Sequence, residues 1–335
     1  MDMTLKEKNI SRCVWCAKTV AILTVIIAHS DFQNVQIGCL EILIQRIGAM
    51  GVPVFLLLSA YYYSPVKYSS LWELIKSRKT TILPWILMAC ACYLWSNLRM
   101  GKEINVQSYI KFMLGYNSLF YFLSILILLQ ILFYFLRFFS IEKLVGVCVA
   151  LSVVSTELAA FGITDDIIVR AGLTNYLNIF NWVGFFAVGL YFRTIKDNVI
   201  IAFVNKDCGW AVLIWCILFA VSYYVERGKY GYFSILGLFM ESVSAILILR
   251  FAWSICHFDW IEQLGKYSYA IYLVHINIVP IINKFLGGSA VGEMVSPFCT
   301  YMLSFLLIWC ACSVLRKMKM CHLTKYLLGV RMERG

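Results

Sequence analysis

Residues 18–29 read Lys18-Thr19-Val20-Ala21-Ile22-Leu23-Thr24-Val25-Ile26-Ile27-Ala28-His29: a cation, ten uncharged residues and an imidazole. They lie inside an apolar segment at 14–30 that has no small-residue cleavage site at its end and reads as a retained first membrane helix. As a helix, the eleven-residue spacing is close to three turns. Lys18, Ile22, Val25 and His29 then share one face, with Lys18 and His29 about 16 Å apart along the axis. An ionisable side chain inside hydrocarbon costs about 2.5–3.5 kcal/mol, so a helix that carries one at each end needs a reason for both. Taken singly, Lys18 reads first as a lysine snorkelling to the interface, and His29 as a helix-end residue at the headgroups.

The same apolar character extends along the whole chain. Of its 335 residues 61% are hydrophobic and 14% charged, with a mean hydropathy of +0.79. Soluble domains carry roughly 25% charged residues. A soluble enzyme, a disulfide scaffold, a disordered chain and a collagen-like fibre are therefore excluded. Nine further segments follow the first, at 42–62, 82–98, 119–139, 144–160, 175–192, 209–225, 232–256, 264–285 and 295–315. Breakers separate them: Ser64-Pro65, Gly162, Gly228 and Gly231, and Gly287-Gly288. The expected fold is an all-α polytopic membrane protein of about ten helices. A single membrane-embedded domain is expected over 1–335, with no separate soluble domain. No internal repeat is evident, which argues against repeat-built transporter folds.

The net charge of +11 reflects membrane topology, since no basic run is interleaved with aromatics to suit nucleic acid. With ten crossings, Arg99, Lys102, Lys111, Arg170, Arg227, Lys229 and Lys284 fall on one side and Arg46 lies within a span. The remaining 21 of the 29 lysines and arginines fall on the side of the termini, which predicts both termini cytoplasmic. The 13 cysteines lie mostly inside apolar stretches and read as small apolar filler; Cys13 and Cys16 form a lone CxxC, and no metal is implied.

Four other features carry chemistry. Pro53, in Gly51-Val52-Pro53-Val54-Phe55-Leu56-Leu57-Leu58-Ser59-Ala60, bends an apolar helix and frees a carbonyl, while Ser59 bonds the backbone or faces a cavity. Lys76-Ser77-Arg78-Lys79 stands ahead of Pro84 as a cationic mouth; it either sets topology or docks a phosphorylated ligand. Ser268, Tyr272 and His275 form a polar stripe at i, i+4 and i+7 that faces the bundle interior. Arg46 and Glu241 are intramembrane charges that either pair in the core or touch a substrate.

Together these stretches resemble acyltransferase family 3, a group of integral membrane acyltransferases. The resemblance rests on Lys18 through His29, on Val52-Pro53-Val54-Phe55 leading to Ser59, on Arg78-Lys79 before Leu83-Pro84, and on Leu264-Gly265-Lys266-Tyr267-Ser268 through Tyr272-Leu273-Val274-His275. Tyr121-Phe122-Leu123 and Phe185-Phe186-Ala187-Val188-Gly189 fall where the family has similar aromatic-rich helices. There are four departures. Trp15 stands where many members carry Asp, Lys18 where arginine is commoner, Leu56 for a second Phe, and Ala60 for the usual Gly.

The resemblance implies ten helices and transfer of an acyl group, usually acetyl, from cytosolic acetyl-CoA to a hydroxyl of a cell-surface polysaccharide or its lipid-linked precursor. The protein would be a multi-pass O-acetyltransferase of the inner membrane. It would meet an acyl-CoA donor, a glycan or lipid-linked sugar acceptor and membrane lipid, but no nucleic acid. By the same resemblance His29 is catalytic, as general base or as acyl carrier. Lys76, Arg78 and Lys79 would hold the donor's phosphates, and Lys18 would orient the donor. Ser59 and Tyr272 are candidate oxyanion donors. His275 is either a second proton handler or a structural partner, and Arg46 and Glu241 either pair or touch the acceptor. The donor's arm would enter along a line Arg78–Lys18–His29. A transporter or flippase of an envelope glycan or lipid is the competing class, and it leaves the four ordered motifs unexplained. Monomer and dimer are equally allowed by the sequence.

Overall fold

The computed structural model describes residues 3–35, 38–116, 118–163, 174–195, 209–225 and 233–331. Among these there is no strand. Arg170, Lys196, Lys206, Arg227, Gly228, Lys229, Gly231 and Arg334 of the sequence reading lie outside the described residues.

The first segment is one continuous helix, α1 (Met3–His29). The second arrives as two helices, α2 (Gly38–Ala49) and α3 (Gly51–Tyr61), which break at Met50. The cause is Pro53 one turn later. It has no N–H to offer the Ala49 carbonyl, and its ring crowds that turn. After the short α4 (Leu71–Ser77) come α5 (Lys79–Met100), the nine-residue α6 (Val106–Leu114), α7 (Tyr121–Phe135) and α8 (Ile141–Ala160). α9 (Val183–Thr194) and α10 (Gly209–Val225) are shorter, at 12 and 17 residues. α11 (Ile235–Ile255), α12 (Asp259–Lys266), α13 (Ser268–Leu286), α14 (Ala290–Lys317) and α15 (Cys321–Leu327) complete the chain.

Among the described residues eight of the ten expected segments are long and apolar enough as helices to cross a membrane, with α2 and α3 counted together as one. The two remaining expected segments are α9 and α10. The sixth segment loses its first half because its asparagines compete with helical bonding. The Asn178 side chain accepts from the Phe180 N–H, and Asn181 Nδ2 donates to the Asn175 carbonyl, so 175–181 forms two 3₁₀ turns.

The direction of the helices constrains the crossings. Arg12 meets Asp259, Thr19 donates to the Ile261 carbonyl, and His29 reaches His275, so α1 runs parallel to α12 and α13. Tyr269 donates to the Thr81 carbonyl and Asn277 to Cys92 Sγ, so α5 also runs parallel to α13. An odd number of crossings must separate α5 from α13. α7, α8 and α11 supply three, and α9 with α10 would make five; one of these two helices cannot cross without the other.

α1 is the central element. Cys16, Ala17, Ala21, Ile22 and Ile26 on it are fully buried. Its neighbours come close because small residues meet. A Cβ on Gly48 would lie 2.8 Å from the Ala28 Cα, and one on Gly51 would lie 2.5 Å from the Ala21 carbonyl oxygen. Close approach of this kind is what associates helices in lipid, where no hydrophobic drive acts between them. Gly146 in α8 faces open space by the same measure. Gly51→Ala is therefore expected to overpack the α1–α3 seam and cost about 1–3 kcal/mol. Gly146→Ala should leave stability unchanged or raised, because it only relieves a helical glycine. Thermal melts of both variants in one detergent check this; an unchanged Tm for Gly51→Ala would refute the seam.

Candidate active site

His29 is the last residue of α1, and the His275 ring stands beside it at 5.6 Å between centroids, tilted by 30°. Two residues 246 apart in sequence thus meet because α1 and α13 run parallel in contact. His275 is almost completely buried. Its Nδ1 lies 2.6 Å from the Tyr272 carbonyl, which makes Nδ1 the donor and leaves the lone pair on Nε2. That Nε2 is buried with no hydrogen-bond partner. Tyr272 in turn donates its hydroxyl to the Leu119 carbonyl and packs edge-on against Phe122 at 5.5 Å. The Ser268–Tyr272–His275 stripe faces the interior, as its spacing predicts.

His29 borders a cavity of about 830 Å³ at this end of the bundle. Polar groups around it include Asp31, Gln33, Glu41, Gln45, Ser118 and Tyr176. The cavity's wall after α1 is pinned by a residue that the sequence reading missed. Glu293, buried in the first turn of α14, accepts from the Asn34 backbone N–H at 2.8 Å and from Asn34 Nδ2 at 2.7 Å. Its signal is a serine cap at Ser289 ahead of an acid, whereas the apolar run at 295–315 starts beyond Glu293. A second wall is built by Gly115, whose positive φ of 106° ends α6 and turns the chain towards Leu119.

The other sequence candidates fall elsewhere. Lys18 lies eleven residues before His29 on the same helix, and its Nζ sits 4.3 Å from the Trp15 ring centroid. Ser59 is eight residues beyond Gly51 on α3, roughly 12 Å along the axis, away from His29. Arg46 is buried on α2 and donates to the Ser222 hydroxyl on α10. Its field reaches Glu241, which is buried on α11 with one carboxylate oxygen lacking a hydrogen bond. Neither Arg46 nor Glu241 borders the 830 Å³ cavity. Lys76 and Lys79 border a second hollow, of about 580 Å³, at the opposite end of the bundle. Arg78, between them in sequence, turns to the other side, where it donates to the Tyr68 hydroxyl at 3.1 Å and sits over Tyr63. The two hollows share no bordering residue, and neither Arg78 nor Lys18 borders either one. Among the described residues no cluster of three or more His, Cys, Asp or Glu could hold a metal.

Arg12 is a second residue missed in sequence. It bridges to Asp259 and Glu262 of α12, and Glu262 also pairs with Lys266. This ties the start of α1 to the helix that leads into the stripe.

The model of acyltransferase family 3, described as an acyltransferase domain, matches residues 14–317. The chain belongs to that family. It is an all-helical membrane protein of the acyltransferase class, and acyl transfer implies use of an acyl donor and an acceptor. No curated protein and no solved structure matches the chain.

Replacing Glu293 by Ala strips the carboxylate from the Asn34 backbone N–H and from its Nδ2, which keeps only the Gly287 carbonyl at 2.9 Å. It should cost about 1–3 kcal/mol and raise hydrogen–deuterium exchange at the Asn34 amide. Exchange at the parent rate would show that the carboxylate does not hold this wall.

Proposed function

We propose that this chain is an inner-membrane O-acetyltransferase that acts as one membrane-embedded domain, with both termini in the cytoplasm. It moves acetyl from acetyl-CoA to a hydroxyl of a cell-surface polysaccharide or its lipid-linked precursor. The observation that carries the reading is His29 on the wall of an 830 Å³ cavity with the His275 ring against it, in a chain of this family.

His29 acts as general base. It takes the proton from the acceptor hydroxyl as that oxygen attacks the acetyl carbonyl carbon. The tetrahedral adduct then collapses, the carbon–sulfur bond breaks, and the imidazolium returns its proton to the leaving thiolate. His275 is the positioning partner. Its Nδ1–H is committed to the Tyr272 carbonyl, so its free Nε2 lone pair stabilises the neighbouring ring when that ring becomes cationic. Tyr272 holds the loop at Leu119 with its hydroxyl, which is a positioning role rather than that of an oxyanion donor. Lys18 lies on the donor's side of His29. Lys76 and Lys79 receive the donor's phosphates, whereas Arg78 braces Tyr63 and Tyr68. Ser59 is left without a part in the chemistry, and Arg46 with Glu241 serves to hold α2 against α10 and α11.

The amide, hydroxyl and carboxylate groups of the cavity suit a polyhydroxylated acceptor. The test uses membranes supplied with acetyl-labelled CoA, following label into envelope glycan. His29→Ala at matched expression should lower transfer by roughly 10²–10⁴-fold. His275→Ala should lower it by less, because the base remains. Equal labelling by parent and His29→Ala would remove the imidazole from the mechanism.

A further inference from the structure

The 580 Å³ hollow at the basic end of the bundle has two walls. One is Lys76, Ser77, Lys79 and Thr80, at the junction of α4 and α5. The other comes from the C-terminal segment, with His322, Lys325, Tyr326 and Arg331. This second wall lies beyond residue 317, where the family match ends.

The segment is built into place. The Thr324 hydroxyl is buried between the Cys321 carbonyl at 2.8 Å and the Val330 carbonyl at 2.9 Å. Val330 is itself in the core. Gly329, at φ +70°, packs on the Tyr269 ring, where any side chain would collide, and Tyr269 donates to Thr81 beside the hollow. Tyr326 stands between the two walls, with Lys79 Nζ 5.4 Å and Lys325 Nζ 4.8 Å from its ring centroid. The hydrogen bond from Lys79 draws the Tyr326 phenol below its usual range.

Four lysine and arginine side chains and His322 thus border one hollow, and among the described residues no carboxylate borders it. Among the described residues none of its lysines or arginines is in a salt bridge. Glu73, three residues before Lys76, is occupied elsewhere. It accepts from the Ser69 N–H and hydroxyl at 2.8 Å each, which hold its carboxyl below the usual range. Like charges gathered in a fixed concavity repel one another unless an anion lies among them. A multiply charged phosphate group satisfies that geometry.

We propose that the C-terminal segment 321–331 forms half of the donor-phosphate site, with Lys325 and Arg331 binding phosphate opposite Lys76 and Lys79. This rests on the coenzyme A reading above and adds a wall to it. An anionic lipid headgroup would present the same chemistry, so the test separates the two sources.

The full chain is reconstituted in phosphatidylcholine nanodiscs, with and without phosphatidylglycerol, and coenzyme A binding is measured beside acetyl-transfer kinetics. Lys325→Gln and Arg331→Gln should each weaken coenzyme A binding by about 10-fold in pure phosphatidylcholine. The loss should fall on the KM for acetyl-CoA rather than on kcat, and Lys325→Arg should restore binding. A parent that binds coenzyme A and transfers acetyl, with both Gln variants equal to it, overturns the proposal and leaves the reaction standing. Differences that arise only with phosphatidylglycerol assign the hollow to lipid and also overturn it. A parent that binds no coenzyme A in either bilayer removes the reaction reading and this inference together.

Discussion

The backbone of α1 is approached more closely than ordinary side chains allow, and the rest of the structure depends on that contact. Ala21 and Ala28 on α1 meet Gly51 and Gly48 on the kinked second crossing. On the far side Gly265 of α12 comes so near the Trp15 carbonyl that no side chain would fit there. In hydrocarbon, attraction between helices comes from dispersion and from exact fit, so small residues decide which helix faces can meet. Once α1 is gripped on both sides, the position of its last residue is determined. His29 is brought to His275 by packing along the whole length of α1, since the two side chains share no hydrogen bond that would draw them together.

The departures from the family pattern have physical counterparts in the packing. Trp15, which replaces an acid, puts its ring face under the Lys18 ammonium at 4.3 Å. A ring quadrupole holds a cation without a second charge having to be desolvated, and this contact is worth about 0.5–2 kcal/mol. A carboxylate in the same place would carry the larger cost of a buried ion pair. Ala60, which replaces a glycine, lies against Gly189 of α9, so the methyl group gained on one helix is matched by the one lacking on the other.

The two hollows have opposite electrostatic character, and the helix directions explain why they lie at opposite ends. α1, α5 and α13 run parallel, so their first turns gather the basic residues and their later turns gather His29, His275 and the loops around them. One end is lined by ammonium and guanidinium groups, the other by amides, hydroxyls and carboxylates. A phosphate group and a polyol would each find the end that matches it.

The class of structure was legible in the sequence because hydrocarbon imposes it: every backbone group must be bonded within its own helix, so apolar runs become helices. All ten segments contain helix, and the Lys18–His29 and Ser268–His275 faces follow from periodicity alone. The number of long spans was not legible, since the asparagines at 175, 178 and 181 spend their side chains on 3₁₀ turns inside an apolar run. Nor was the separation of Arg78 from Lys76 and Lys79, because successive helical residues point in different directions and the turn at Arg78 decides which one faces the hollow. Glu293, Arg331 and the His29–His275 pair are the clearest cases. Their partners lie 259, 255 and 246 residues away at Asn34, Lys76 and each other, beyond the reach of any local pattern. By itself the sequence determined the helices, their polar faces and the family, because these follow from local bonding and periodicity; only the tertiary structure decided which faces meet, because that depends on how closely small residues let distant backbones approach.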